Sequence, residues 1–408
     1  MVLARPVVPG FSPLDDELGL LPGSLTPRLQ EALVRLSTQQ PSFAKAATEL
    51  TFFTGATIQA DTARRRTEAA GAVLVAHETA EATRILGTHP APPLGPDTLV
   101  FSVDGAMVPI VGGQWMELRT LAVGQVQPPR MTPEGPLIQT THLSYFSRLT
   151  DSTTFADLAV LELYRRGIET AGRVGAVVDG AEWCQSFIDY HYGDAVRILD
   201  LPHAAEHITL FGQIATPEGP LVSPTECARL RHALKHDGPD GVLAELRAVV
   251  AAHPELPEAA KPVAYLEKRQ AQLHYPQFAA AGWPLGSGMV ESANKLVVED
   301  RLKGAGMHWV EVNVNPMLAL RNACCTDRWA ETWQVIEREQ RRQVVVQRQA
   351  RRARHRPAPA LEPAAPLATA RATYVVPTAS PPVLATKPPH PWTRAWSIRR
   401  QRALADAA

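Results

Sequence analysis

The 408-residue sequence predicts an α/β protein: a mixed β-sheet with helices on both faces, carrying an α-helical insertion and preceded by a small all-α domain. Three observations predict it. Residues 98–199 alternate between β-type and helical spacing in the order strand, strand, strand, helix, strand, helix, strand. Residues 26–88 carry helical spacing only, and a Pro-rich stretch separates them from the strands. Residues 204–281 are again mostly helical, with breaks at Pro217, Pro220, Pro224, Pro239, Pro254 and Pro257.

Residues 1–25 form a turn-rich lead segment without periodicity. Thr26-Pro27 is a helix start, a capping residue with Pro at the first helical position, and Leu29, Leu33 and Leu36 then share a face. Ser42 opens a second helix carrying Phe43, Ala46, Ala47 and Leu50, and Gly55 breaks it. A third helix begins near Asp61 and carries Arg64, Arg65 and Arg66, ending near Gly71 or continuing past it. This is the layout of a helix-turn-helix DNA-binding domain over residues 26–88, whose third helix would enter a major groove. Gln59, Thr62, Arg64 and Arg65 are then the candidates to touch bases or phosphates. A small bundle with a solvated Arg face has the same pattern.

Residues 89–97 read as a Pro-rich linker and a domain boundary. Strands follow at about 98–104, 115–126 and 137–146. A helix covers 153–170, a strand ends at Asp179, a helix runs near 182–192 and a strand covers 195–199. The insertion at 204–281 supplies Arg229, Arg231, Lys235, Lys261, Lys268 and Arg269, which line a DNA channel or are simply exposed helical charge. Residues 282–309 hold a Gly/Pro turn, Ser287 as a helix cap, and a helix from about Met289 to Lys303 with Gly304 as its stop. Glu291 lies in its first turn, where the dipole favours the ionised carboxylate. A last helix is expected at 312–337, followed by a basic, Pro-rich tail at 338–408: an Arg-rich helix or coil at 338–356, then disorder, with ten Pro between Pro357 and Pro391.

The chemistry rests on three carboxylates. Asp104 and Asp179 each end a short apolar run and precede Gly, and neighbouring strands would hold them side by side. One Asp-Gly alone is usually a turn. Two, with Glu291 on a helix, form a set that can converge on two Mg²⁺ or Mn²⁺ ions about 4 Å apart and serve an in-line phosphoryl displacement.

At these residues the chain resembles the DDE transposases of bacterial insertion sequences, of the Kra type and with Mutator-like relatives. The matching motifs are Ser102-Val103-Asp104-Gly105, Val177-Val178-Asp179-Gly180-Ala181-Glu182-Trp183, and Gly286-Ser287-Gly288 leading to Val290-Glu291-Ser292. Arg301-Leu302-Lys303-Gly304 with Gly306, Met307 and Trp309, and Asp200-Leu201-Pro202-His203, also match. The resemblance covers about residues 12–335, and its Glu segment is the most specific part. It implies an RNase H-like catalytic domain over 98–337, with Asp104, Asp179 and Glu291 as metal ligands. It further implies Mg²⁺-dependent DNA cleavage and strand transfer, with transposon ends and target DNA as partners and a homodimer in the synaptic complex. Asp200 and His203 would lie beside the metals, and His203 would contact the scissile phosphate or the attacking water. Many such enzymes place Lys or Arg two turns after the Glu, where this chain has Val298. Lys295, or Arg301 and Lys303, would then meet phosphate. Trp309 either stacks on a displaced base or belongs to the core.

Two rivals share these residues. His203-Ala204-Ala205-Glu206-His207 fits the H-x-x-E-H zinc-peptidase pattern, but that reading leaves Asp104 and Asp179 unused. A catalytically inactive or domesticated DNA-binding protein needs only the helix-turn-helix unit and the basic tail, although three convergent carboxylates would then repel one another to no purpose. Hydrophobic content is ordinary for a globular protein. No apolar run is long enough to span a bilayer, and the N-terminus lacks a signal-peptide layout, so a cytoplasmic location is expected. The four cysteines form no C-x-x-C pair, which argues against structural zinc. Net charge is zero, but 13 Lys+Arg and 2 Asp+Glu fall from residue 341 onward, leaving 28 and 39 in the acidic body. Such a tail suits a polyanion contact.

Overall fold

The computed structural model describes residues 25–132, 135–217 and 219–354; the lead segment before residue 25 and the Pro-rich tail after residue 354 lie outside them. Thr26 caps the first helix, α1 (Pro27–Gln39), accepting from Leu29 N at 3.3 Å. Ser42 caps α2 (Phe43–Thr54) through Lys45 N at 3.1 Å, and Gly55 stops it at φ 70°. The third helix, α3 (Ala60–Thr88), runs past Gly71 without a break. Its glycine serves close approach: a Cβ at Gly71 would lie 2.3 Å from the Pro316 carbonyl oxygen of a helix packed across it. That contact outweighs the ~1 kcal/mol propensity cost of Gly in a helix. Gly71→Ala is expected to destabilise the protein by about 1–3 kcal/mol. A denaturant midpoint unchanged from wild type would contradict this packing argument.

The main sheet has the order β5-β2-β1-β6-β7 and is mixed. Strands β1 (Thr98–Ile110), β2 (Gln114–Val126) and β5 (Thr140–Arg148) pair antiparallel, while β6 (Arg173–Val178) and β7 (Val196–Leu199) add in parallel beyond β1. Two short strands, β3 (Arg130–Thr132) and β4 (Gly135–Leu137), make a separate hairpin that takes Leu137 out of the third long strand. The first strand does not end at Asp104. It continues to Ile110 because β2 pairs with it over that whole length, from Asp104 opposite Thr120 to Ile110 opposite Gln114.

Alternation along the strands divides the core between two faces. Leu99, Phe101, Val103, Leu121 and Val123 meet α4 (Ser152–Arg165) and α5 (Glu182–Tyr192) on one face. On the other face, Val100, Val177, Ile198 and Leu199 meet α6 (Leu201–Gly212) and the helices of the insertion. These are α7 (Pro224–His236), α8 (Pro239–Ala252), α9 (Ala260–Lys268) and α10 (Tyr275–Ala280). Further along that face, Ala106, Val108, Leu118 and Ala122 receive the Glu291 helix. It is built from α11 (Gly288–Ala293), a π-helical stretch (Asn294–Glu299) and a last turn, α12 (Asp300–Leu302).

The expected helix at 312–337 is two helices, α13 (Val314–Cys325) and α14 (Trp329–Arg354), separated at Asp327, whose φ is 54°. The N-terminal helices dock on this pair: Val34, Ala70 and Leu74 pack with Ala319, Leu320, Trp329, Trp333 and Ile336. The 89–97 segment is tied down too, with the Tyr164 hydroxyl donating to Ala91 O (2.9 Å) and the Thr170 hydroxyl to Pro93 O (2.6 Å). Two ion pairs add cross-links: the buried pair of Arg148 with Glu78 joins β5 to α3, and the part-buried pair of Arg328 with Glu162 (2.6 Å) joins the α13–α14 turn to α4. Among the described residues no helix is long and apolar enough to cross a membrane.

Candidate functional site

Parallel pairing of β1 with β6 sets Phe101 opposite Ala176, and the same register continued brings Asp104 level with Asp179, the first residue past β6. Both are half-buried and lie on the sheet face that the Glu291 helix covers. The turn after Asp179 accepts only Gly. Gly180 has φ 79°, and a Cβ there would lie 2.6 Å from both Arg269 Nε and the Tyr265 hydroxyl. Those two residues come from the insertion and hold the turn: the Tyr265 hydroxyl donates to Asp179 O, and Arg269 Nε donates to Gly180 O at 2.7 Å. Arg269, a candidate for the DNA channel, is instead 5 % exposed and stacked over Tyr265.

Each carboxylate has its own donors. Asp104 Oδ1 accepts from Gly105 N (2.7 Å) and Oδ2 from Asn294 Nδ2 (2.8 Å). Asp179 Oδ1 accepts from Ala181 N (2.9 Å) and from the buried Cys184 thiol (3.3 Å). Ser287 does not cap the helix with its side chain; its hydroxyl donates to Glu291 Oε1 at 3.3 Å. The widened π-helical turns leave carbonyls that Arg321 fills, donating to Leu296 O and Val297 O.

The three carboxylates share one field. Burial pushes the Asp104 carboxyl up from 3.8 to about 6, and the charges of Asp179 and Glu291 push the same way against the Gly105 and Asn294 donors. Burial also raises the Cys184 thiol, helped by Asp179, Asp104 and Glu117, so this cysteine stays protonated and donating. Among the described residues no three His, Cys, Asp or Glu side chains form a ready-made metal cage. The donor set nonetheless fits Mg²⁺ or Mn²⁺: it is all oxygen and short of counter-charge, and Mg²⁺ takes one or two carboxylates while keeping waters and phosphate oxygens. Without a cation the raised Asp104 carboxyl makes folding stability fall as pH rises from about 4 through about 6, since the folded form holds its proton longer than the unfolded chain. Asp104→Asn is therefore expected to stabilise the metal-free protein near pH 8 by about 1–2 kcal/mol, discounted for partial exposure, and by nothing at pH 4. Thermal melts in chelator at the two pH values check this; equal shifts at both would contradict it.

The other expected contacts divide. His203 sits at the edge of the site on α6, its ring 5.8 Å from Tyr265 and its Nδ1 3.6 Å from Glu206. His207 is stacked on Tyr265 at 3.9 Å, and burial lowers its pKa. Lys295 is exposed one turn beyond Glu291, and Lys303 pairs with Glu299 at 3.0 Å. Arg301 is not offered to a phosphate: it is 1 % exposed, donates to Ser37 O at 3.1 Å and lies over Phe43 and Trp309. Burial lowers its pKa to about 10. Trp309 is core, 6 % exposed, with Nε1 donating to Leu302 O. On α3, Arg65 is exposed and Arg64 half-buried; both pair with Asp61, and Arg64 also with Glu68. Asn294, Cys184 and Tyr265 were not anticipated; only Asn294 carried a signal, being three residues after Glu291 on the same helical face.

No protein-family model matches the chain, and the curated proteins searched give no match either.

Proposed function

We propose that this chain is a DDE transposase with an RNase H-like catalytic domain, binding the ends of an insertion sequence and catalysing DNA cleavage and strand transfer. The observation that carries the reading is the β1–β6 register, which brings Asp104 level with Asp179 on the sheet face that the Glu291 helix covers. The strand-and-helix order and the mixed sheet support the fold assignment, and the motifs around the three carboxylates support the family. Asp104, Asp179 and Glu291 would hold two Mg²⁺ or Mn²⁺ ions. When bound, such ions stabilise the attacking and leaving oxygens of an in-line displacement at phosphorus. The chain's own groups keep the carboxylates aimed: Asn294 fixes Asp104, the Ala181 amide and Cys184 fix Asp179, and Tyr265 with Arg269 fixes the turn after Asp179. Lys295 is the exposed cation best placed to meet a phosphate beside Glu291. In α1–α3, read as the helix-turn-helix unit, Arg64 and Arg65 exchange weak, solvent-screened ion pairs with Asp61 for DNA contacts. End pairing implies a homodimer.

A nicking assay on plasmid carrying the element ends, with purified protein and Mn²⁺, tests the reading. Nicking is expected in Mn²⁺ or Mg²⁺ and none in chelator or in Ca²⁺. Tight binding with no nicking under any divalent ion would favour the non-catalytic DNA-binding alternative.

A further inference from the structure

Asp200 has no part in the displacement proposed above, yet it is a carboxylate only 4 % exposed. Backbone donors use both its oxygens. Oδ2 accepts from His203 N at 2.9 Å and caps α6, while Oδ1 accepts from Ser287 N at 2.6 Å across the chain. One residue on, Leu201 N donates to Leu285 O at 2.9 Å. The end of β7 is thus laced to the loop that launches the Glu291 helix. That loop is Gly286-Ser287-Gly288, whose glycines carry no side chain to hold it, and Gly286 lies directly against Asp200. The lacing continues forward, because the Ser287 hydroxyl reaches Glu291 Oε1 at 3.3 Å. The line Asp200 to Ser287 to Glu291 connects the strand next to Asp179 with the third carboxylate.

We propose that Asp200 is a positioning residue whose carboxylate latches the 286–288 loop and thereby sets Glu291 against Asp104 and Asp179. The inference rests on reading those three as one divalent-metal site. A carboxylate suits the task because two backbone N–H groups point at it from different elements, and an ionised carboxylate accepts on both oxygens. An amide would turn one arm into a donor facing a donor. Serine would still cap α6 but is too short to reach Ser287 N as well.

The experiment is a Mn²⁺ titration followed by thermal shift on the full chain, comparing wild type with Asp200→Asn, Asp200→Ser, Ser287→Ala and Asp179→Asn. Wild type is expected to saturate and Asp179→Asn to show almost no shift. Both Asp200 variants should need about 10–100-fold more Mn²⁺ for half-saturation, the usual cost of losing a partner that orients a metal ligand. Ser287→Ala, which keeps both backbone bonds and drops only the last link, should need a few-fold more. A purely structural role would lower the metal-free melting temperature and leave half-saturation in place. An unchanged half-saturation in Ser287→Ala and in each Asp200 variant that folds overturns the latch while leaving the metal site standing. A wild type that shows no Mn²⁺ response at all overturns the site reading, and the latch with it.

Discussion

Asp179→Asn is expected to reduce DNA cleavage by at least about 10³-fold, equivalent to roughly 4 kcal/mol of transition-state stabilisation, while DNA binding and the melting temperature change little. The substitution is nearly isosteric. An Asn oxygen can still accept from Ala181 N and Cys184, so the turn and its clamp by Tyr265 and Arg269 survive. What is lost is one negative charge and, on the proposed function, one hard oxygen ligand. The check is a single-turnover nicking rate beside a binding isotherm on the same DNA. Cleavage retained within about tenfold of wild type would remove Asp179 from the site.

Glu78→Ala is expected to cost about 3–5 kcal/mol of folding stability, the largest structural effect of any single change considered. Arg148 is 2 % exposed on β5, with its guanidinium held between Glu78, the Ser147 carbonyl (2.8 Å) and the Phe146 ring. Removing Glu78 leaves that cation buried without counter-charge and detaches α3 from the sheet edge. Replacing both partners, Glu78→Leu with Arg148→Met, should recover most of the loss, because the burial penalty disappears with the charges. Denaturant midpoints for Glu78→Leu, Arg148→Met and the double variant form the cycle; a Glu78→Ala loss below about 1 kcal/mol would show that the pair is solvated.

Much of the fold is written locally. Thr26-Pro27, Ser42 and Gly55 act at their own positions, so the N-terminal helices begin and end where those residues stand. The apolar runs before Asp104 and Asp179 announce buried strands, but that the two are neighbours comes from the parallel pairing of β6 with β1 rather than with β5. Other features depend on partners distant in sequence. β1 outruns Asp104 only because β2 has residues to pair with it up to Gln114. Arg301 and Arg269 look like surface cations, yet the carbonyls of Ser37 and Gly180 and nearby aromatic rings draw both inside. Widening of the Glu291 helix at Asn294–Glu299 is matched by Arg321 from α13, which no periodicity in the helix itself signals. In the site, the carboxylates are legible because two Asp-Gly strand ends and a helical Glu in matched motifs are conspicuous. Their donors, Asn294, Cys184 and Tyr265, are ordinary residues whose role arises from packing alone.

The most direct measurement of the central claim is an excision assay in cells. The DNA flanking the gene brackets a reporter, and wild type, Asp179→Asn and Glu291→Gln are supplied separately. The account predicts rejoined donor or new insertions with wild type and neither with the two variants. Equal excision or insertion from all three, or none from wild type together with no Mn²⁺-dependent nicking in vitro, would contradict it.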